Sequence, residues 1–188
     1  MTFQFISFLL LFESLVSCQK NAVESASPLA KIIYESDDVG QTWVDISASI
    51  PDSLNASCVY TEGNQILLGD LHGIHRAKLG SGALEWKKES LFDKNVSDFF
   101  PGKQGIYARV YPDGIFQEIR GTGIWKNVFP ELTALVPYCI LETSEGSILA
   151  GCSKGIFKSS DAGTSWKQVY ENDGITSIIA ADGLLMAG

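Results

Sequence analysis

Residues 159–166 read SSDAGTSW, and residues 36–43 read SDDVGQTW. Hydroxyls packed around a carboxylate are the raw material of nucleophilic or acid–base chemistry, in which the carboxylate takes a proton from an attacking oxygen. Two other groups of residues could do chemistry. His72 and His75 stand three apart and could share a metal ion, but no cysteine or second ligand pair lies nearby in the sequence. Neither a metal centre nor any other cofactor is therefore expected. The acidic residues of the loops could supply the two carboxylates that glycoside hydrolysis needs, although sequence alone does not fix their separation.

The elements that must carry these residues repeat. The segments KIIYES, GIHRAK, GIFQEI and GIFKSS place Ile33, Ile74, Ile115 and Ile156 at a spacing of 41 residues each time. A tryptophan follows each of them, Trp43, Trp86, Trp125 and Trp166, which uses every tryptophan in the chain once per repeat. Each period reads as short strands. In the last one GIFKSS is a strand, DAGT a turn, SWKQVY a strand, ITSIIAA a strand, DG a tight turn and LLMAG a strand. Apolar runs such as QILLG do not alternate, as expected of sheets covered on both faces. A four-stranded unit of about 40 residues in tandem predicts an all-β fold, a β-propeller of four-stranded antiparallel blades.

With the repeat in place, the two polar stretches fit Ser-x-Asp-x-Gly-x-Thr/Ser-Trp. They resemble the Asp-box, or BNR repeat, of sialidase-like propellers. The matching residues are Ser36, Asp38, Gly40, Thr42 and Trp43, and Ser159, Asp161, Gly163, Ser165 and Trp166. The stretches AKLGSGALEW and QEIRGTGIW are degraded copies. Asp and Ser side chains can accept from backbone N–H groups of their own turn, glycine can take positive φ, and tryptophan can pack between sheets. The box is therefore read as a folding device and not as a catalytic centre. The resemblance also implies that it lies on the hairpin between third and fourth strands, opposite the usual binding face.

That opposite face is where a ligand is expected, at the turns between second and third strands. Its polar candidates are Asp70, His72, Tyr111, Asp113 and Lys154, against the plain alternative that turn residues are polar because they are wet. No catalytic residue is assigned. A sialidase-like enzyme would bring three arginines to the substrate carboxylate. This chain has only Arg76, Arg109 and Arg120, and the first and last fall at third strands. The expected function is a non-enzymatic binding or assembly scaffold for a protein or glycan ligand. The alternative is a carbohydrate-active enzyme, a glycoside hydrolase with some catalytic residues outside these 188 positions.

Composition agrees with a globular exported protein. The chain is 45% hydrophobic with a formal net charge of −8, which disfavours nucleic acid as a partner. Residues 3–12 form an apolar run too short for a comfortable membrane span, open to reading as a lipoprotein signal, an ordinary cleaved signal or an uncleaved anchor. The run leads to LVSC, which resembles a bacterial lipobox. That resemblance implies a signal peptide at 1–17, lipidation at Cys18 with membrane attachment through it, and a tether at 18–30. The propeller is then expected over 31–188. Cys58, Cys139 and Cys152 make an odd set, read as buried small hydrophobes. The repeat opens on a third strand and stops on a second. Either the two ends close a four-bladed ring, or the chain is part of a larger propeller. The second is expected, because proteins usually cover strand edges.

Overall fold

The structure, a computed structural model, describes residues 33–51, 54–80, 84–89, 93–120, 122–130, 135–171 and 173–188. The signal peptide and tether expected at 1–30, Cys18 among them, lie outside these residues, as do positions 81–83 of the second, degraded turn.

The described chain is all-β. A two-stranded sheet opens it, β1 (Tyr34–Glu35) with β2 (Val44–Asp45). Three four-stranded sheets follow. The first holds β3 (Ala56–Glu62), β4 (Gln65–Asp70), β5 (Gly73–Lys78) and β6 (Lys87–Lys88). The second holds β7 (Asn95–Phe100), β8 (Tyr107–Tyr111), β9 (Gly114–Ile119) and β10 (Ile124–Asn127). The third holds β11 (Pro137–Glu142), β12 (Ile148–Cys152), β13 (Gly155–Ser159) and β14 (Lys167–Glu171). A final pair, β15 (Ile178–Ala181) with β16 (Leu184–Ala187), completes the set. Neighbours in sequence are antiparallel neighbours in space, so every sheet is a meander. The strand boundaries agree with the hairpin reading of the sequence. Asp182 (φ 50°) and Gly183 (φ 79°) form the two-residue link between paired Ala181 and Leu184, the geometry a type I′ turn demands.

Successive sheets pack against one another through their first strands. β7 lies against β3, β4 and β5; β11 lies against β7 and β8; β15 lies against β11 and β12. The core is therefore divided into inter-sheet layers. One gathers Leu67, Ile74, Val96, Ala108 and Val110, and the next Ile115, Val128, Phe129, Ile148 and Phe157. β4 and β12 are buried almost throughout because both of their faces are covered, which explains their unalternating apolar runs. Each such side chain contributes about 1.5–3 kcal/mol on full burial.

Candidate ligand cavity

The two polar stretches are closed on themselves. In the first, the Gly40 N–H donates to Ser36 Oγ (2.8 Å), while Thr42 donates to Asp38 through its N–H (2.8 Å) and its hydroxyl (2.7 Å). In the second, the Gly163 N–H donates to Ser159 Oγ (2.9 Å), and Ser165 donates to Asp161 through its N–H (2.8 Å) and hydroxyl (2.6 Å). These bonds favour the charged carboxylates. The Thr42 N–H and then its hydroxyl hold Asp38 down to about 2. The Ser165 hydroxyl and then its N–H do the same for Asp161, also to about 2. A carboxylate so stabilised is a poor base. Gly163 sits at φ 81°, and a Cβ there would fall 2.6 Å from Val128 Cβ, so the turn admits only glycine. Trp166 donates its indole N–H to Val128 O (2.8 Å) and meets Phe129 edge-on at 4.8 Å. Trp43 differs. It is 62% exposed and donates to Gly40 O of its own turn (3.1 Å).

Where the motif has decayed, a charged cluster stands in its place. Glu118 is buried, accepts from the Gly123 N–H (3.1 Å) as Ser159 does from Gly163, and pairs with Arg76 Nη2 at 3.0 Å. Arg76 also meets Glu89 (2.5 Å), whose second oxygen accepts from the Trp125 indole (2.7 Å).

The five candidates at the opposite turns do not form one site. Asp70 is buried, accepts from the His72 N–H (2.8 Å), and lies 3.7 Å from Nε2 of buried His75. Burial pushes the His75 imidazole below its usual value, against the pull of Asp70. Asp113 is paired with Lys94. Lys154 borders a separate open depression with Gln168, Glu171 and Asp173. Only Tyr111, 61% exposed, borders a substantial apolar-walled cavity.

That cavity has a volume of about 450 Å³ and lies between the second and third four-stranded sheets. Its walls are Asn95 and Ser97 of β7, Arg109–Tyr111 of β8, Pro112 of the following turn, Gly114 at the start of β9, and Leu135–Tyr138 before and at the start of β11. A departure from the repeat explains why it is there. Position by position along the ladders, Gly69 pairs with Ile74, Gly151 with Ile156, and Arg109 with Ile115. Arg109 thus takes the place of a glycine. Those glycines are needed, since a Cβ on Gly69 would lie 2.6 Å from Cys58 Sγ and 2.9 Å from Val96 O of the next sheet. On Gly151 it would lie 2.6 Å from both Cys139 Sγ and Ile175 O. In the second sheet the cross-strand cysteine is replaced too. Asp98 stands opposite Arg109, where Cys58 faces Gly69 and Cys139 faces Gly151.

Arg109 donates from Nε to Ser97 Oγ (2.8 Å) and from Nη1 to Tyr138 O (3.0 Å), and its Nη2 lies 4.0 Å from Asp98. A guanidinium has five N–H donors, so donors remain for a ligand. Asn95 Oδ1 is buried and has no hydrogen-bond partner among the described residues. Tyr111 and Tyr138 add aromatic surface, and the cavity wall includes no carboxylate. Such a site can bind hydroxyls and a carboxylate, but it offers no acid–base pair. Sequence reasoning missed Arg109, Asn95 and Tyr138. Among the described residues no group of three or more His, Cys, Asp or Glu could hold a metal ion.

No protein-family model matches the chain, and no curated protein matches it. Solved structures do. Two structures of the extracellular domain of BT4673 from B. thetaiotaomicron, described as a one component and a hybrid two component system, are each 17% identical to it. They superpose with TM-scores of 0.60 and 0.57 over 78% and 74% of this chain. The chain spans about a fifth of their length, 22% and 20%. The computationally designed Ika4 protein is 11% identical, with a TM-score of 0.54 over 72% of this chain and 86% of Ika4. At these identities the likeness concerns the fold alone, an array of four-stranded antiparallel sheets.

Proposed function

We propose that this chain is an Asp-box β-propeller or a section of one, exported, held at a bacterial envelope through Cys18, and working as a non-catalytic binding module. The observation that carries this reading is the Arg109 cavity. It combines a guanidinium with free donors, an unpartnered buried amide oxygen and two tyrosine rings, without a carboxylate in its wall. That is the chemistry of a hydroxylated, acidic ligand such as a sialylated or uronic-acid-bearing glycan, or an acidic peptide. Export draws support from LVSC and from the extracellular origin of the BT4673 structures. The propeller reading draws support from the 41-residue period and from meander sheets stacked through their first strands.

The test is titration calorimetry against a panel of acidic and neutral glycans and acidic peptides, with Arg109→Ala and Tyr111→Ala alongside. Binding of an acidic ligand, weakened about tenfold or more by each substitution, supports the reading, since hydrogen bonds to a charged group contribute about 1.5–3 kcal/mol. Unchanged binding in both folded variants would remove this cavity from the account. Turnover of any glycoside would favour the hydrolase alternative, and the Glu171 and Asp173 depression beside Lys154 would be the first place to look.

A further inference from the structure

The Arg109 cavity has two chemically different ends, and the ladder fixes how far apart they stand. Along β7 and β8, Asn95 pairs with Tyr111, Val96 with Val110 and Asp98 with Arg109, which leaves Ser97 as the extra residue of a bulge. Asn95 and Ser97 both line the cavity. At one end Ser97 Oγ accepts from Arg109 Nε at 2.8 Å, and Tyr138 O accepts from Nη1 at 3.0 Å. A guanidinium held in this way, with donors to spare, is a clamp for a carboxylate. At the other end Asn95 Oδ1 has no hydrogen-bond partner among the described residues. It calls for an O–H or N–H donor, and the soft χ2 torsion of asparagine lets the amide turn toward one. Tyr111 stands directly across the ladder from Asn95 and is exposed, a ring that calls for an apolar face. Asn95 and Ser97 are two residues apart on one strand, so the two ends lie at most about 7 Å from each other along the backbone.

We infer that the cavity takes the terminal ring of a hexuronic acid, with its carboxylate on Arg109, a ring hydroxyl donating to Asn95 Oδ1, and the ring face against Tyr111. This inference rests on the ligand reading above and narrows it to one class. A six-membered sugar acid carries all three features within the width of one ring: a carboxylate on one edge, hydroxyl donors on the other, and C–H groups across the face. A neutral sugar would leave the spare guanidinium donors without an anion. An acidic peptide supplies a carboxylate and an N–H, but each N–H comes with a carbonyl, a further acceptor beside a wall acceptor that already lacks a donor. The volume of about 450 Å³ is that of a small-molecule site. Arg109 then supplies the attraction for the acid, and Asn95 decides which acids are accepted.

Titration calorimetry of the 188-residue chain tests this with methyl glucuronide, methyl galacturonide, methyl glucoside and cyclohexanecarboxylate. The last probe keeps a ring and a carboxylate and lacks every hydroxyl. At least one uronide is expected to bind about tenfold or more tighter than both the neutral glycoside and cyclohexanecarboxylate, because a site built around a hydroxyl rejects ligands without one. Asn95→Ala, checked for folding by circular dichroism, should weaken the uronide about tenfold and leave cyclohexanecarboxylate nearly unchanged, so that the gap between the two closes. The comparison of probes on the wild type needs no substitution, and it carries the test should Asn95→Ala fail to fold. Methyl glucoside or cyclohexanecarboxylate binding as tightly as both uronides overturns the inference, and so does a gap that a folded Asn95→Ala variant preserves. If N-acetylneuraminate or a glutamyl peptide binds in a way that Arg109→Ala abolishes while neither uronide binds, the inference falls but the Arg109 ligand reading stands. If no acidic probe shows binding that depends on Arg109, both fall.

Discussion

Substituting Gly151 by alanine tests the packing that makes the Arg109 cavity exceptional. The added Cβ would lie 2.6 Å from Cys139 Sγ and 2.6 Å from Ile175 O, closer than real Cβ atoms come. The thiol can rotate away, but the backbone oxygen moves only with its strand. Overpacking of this kind costs about 1–3 kcal/mol, and a contact with backbone belongs at the upper end. Gly151 is outside the positive-φ residues, so alanine also gains about 0.4–1 kcal/mol by restricting the unfolded chain. The net expectation is a loss of about 2 kcal/mol, equivalent to a Tm about 4–8 °C lower for a chain of this size. Urea unfolding at constant m is the assay. In a Cys139→Ala background the added cost should fall by about 1 kcal/mol, since the contact with Cys139 Sγ has gone, giving a measurable coupling. If Gly151→Ala is as stable as wild type to within about 0.5 kcal/mol, or if the two substitutions simply add, the sheets are not held that close. The argument that Arg109 forces a cavity open would then fail with it.

Three further outcomes are expected. Asp38 and Asp161 sit at about 2, below the ordinary 3.8, so their contribution to stability is complete above the unfolded value and is lost as pH falls from about 4 toward 2. Urea midpoints across that window should drop, and Asp161→Asn should flatten part of the drop. Glu118→Ala should cost about 1–3 kcal/mol, because it removes one of two carboxylates from Arg76 and the acceptor of the Gly123 N–H, whereas Glu118→Gln should cost less by keeping an acceptor for Gly123. Burial pushes the Cys152 thiol up to about 12, so it should resist alkylation at pH 8 until urea unfolds the chain, as site-resolved mass spectrometry would show.

The strands were legible because their signals are local and recur. Four tryptophans in phase, a DG turn and GIF segments mark strands that the structure finds in the order two, four, four, four, two. The cavity was not legible, and the reason lies in one turn. The links between second and third strands hold two residues after Asp70 and after Cys152, but three after Val110, namely Tyr111, Pro112 and Asp113. Against a fixed 41-residue period that extra residue sets Arg109 beside Leu68 and Ala150, an unremarkable break in an apolar run. Only the ladder places it beside Gly69 and Gly151, where an arginine is conspicuous. Asp70, a candidate for the ligand face, lies buried against His75, where the sister sheets carry Val110 with Phe116 and Cys152 with Phe157.

An internal repeat supplies its own standard of comparison. Residues that recur at ladder-equivalent positions, such as Ile74, Ile115 and Ile156, serve the sheet in the same way each time. Departures from the standard must be accounted for separately, and they fall into two kinds. The Arg76, Glu89 and Glu118 cluster replaces a lost turn motif and pairs its charges within the protein, so it serves the fold. Arg109 opposite Asp98 is different. It removes a close glycine–cysteine contact, opens about 450 Å³ between two sheets, and retains N–H donors beside the unpartnered Asn95 Oδ1. In exchange Arg109 bonds Ser97 Oγ and, across to the next sheet, Tyr138 O, which uses only part of its donor capacity. Unused donors and an unpartnered acceptor on the wall of one cavity are the physical reason for testing ligands there first.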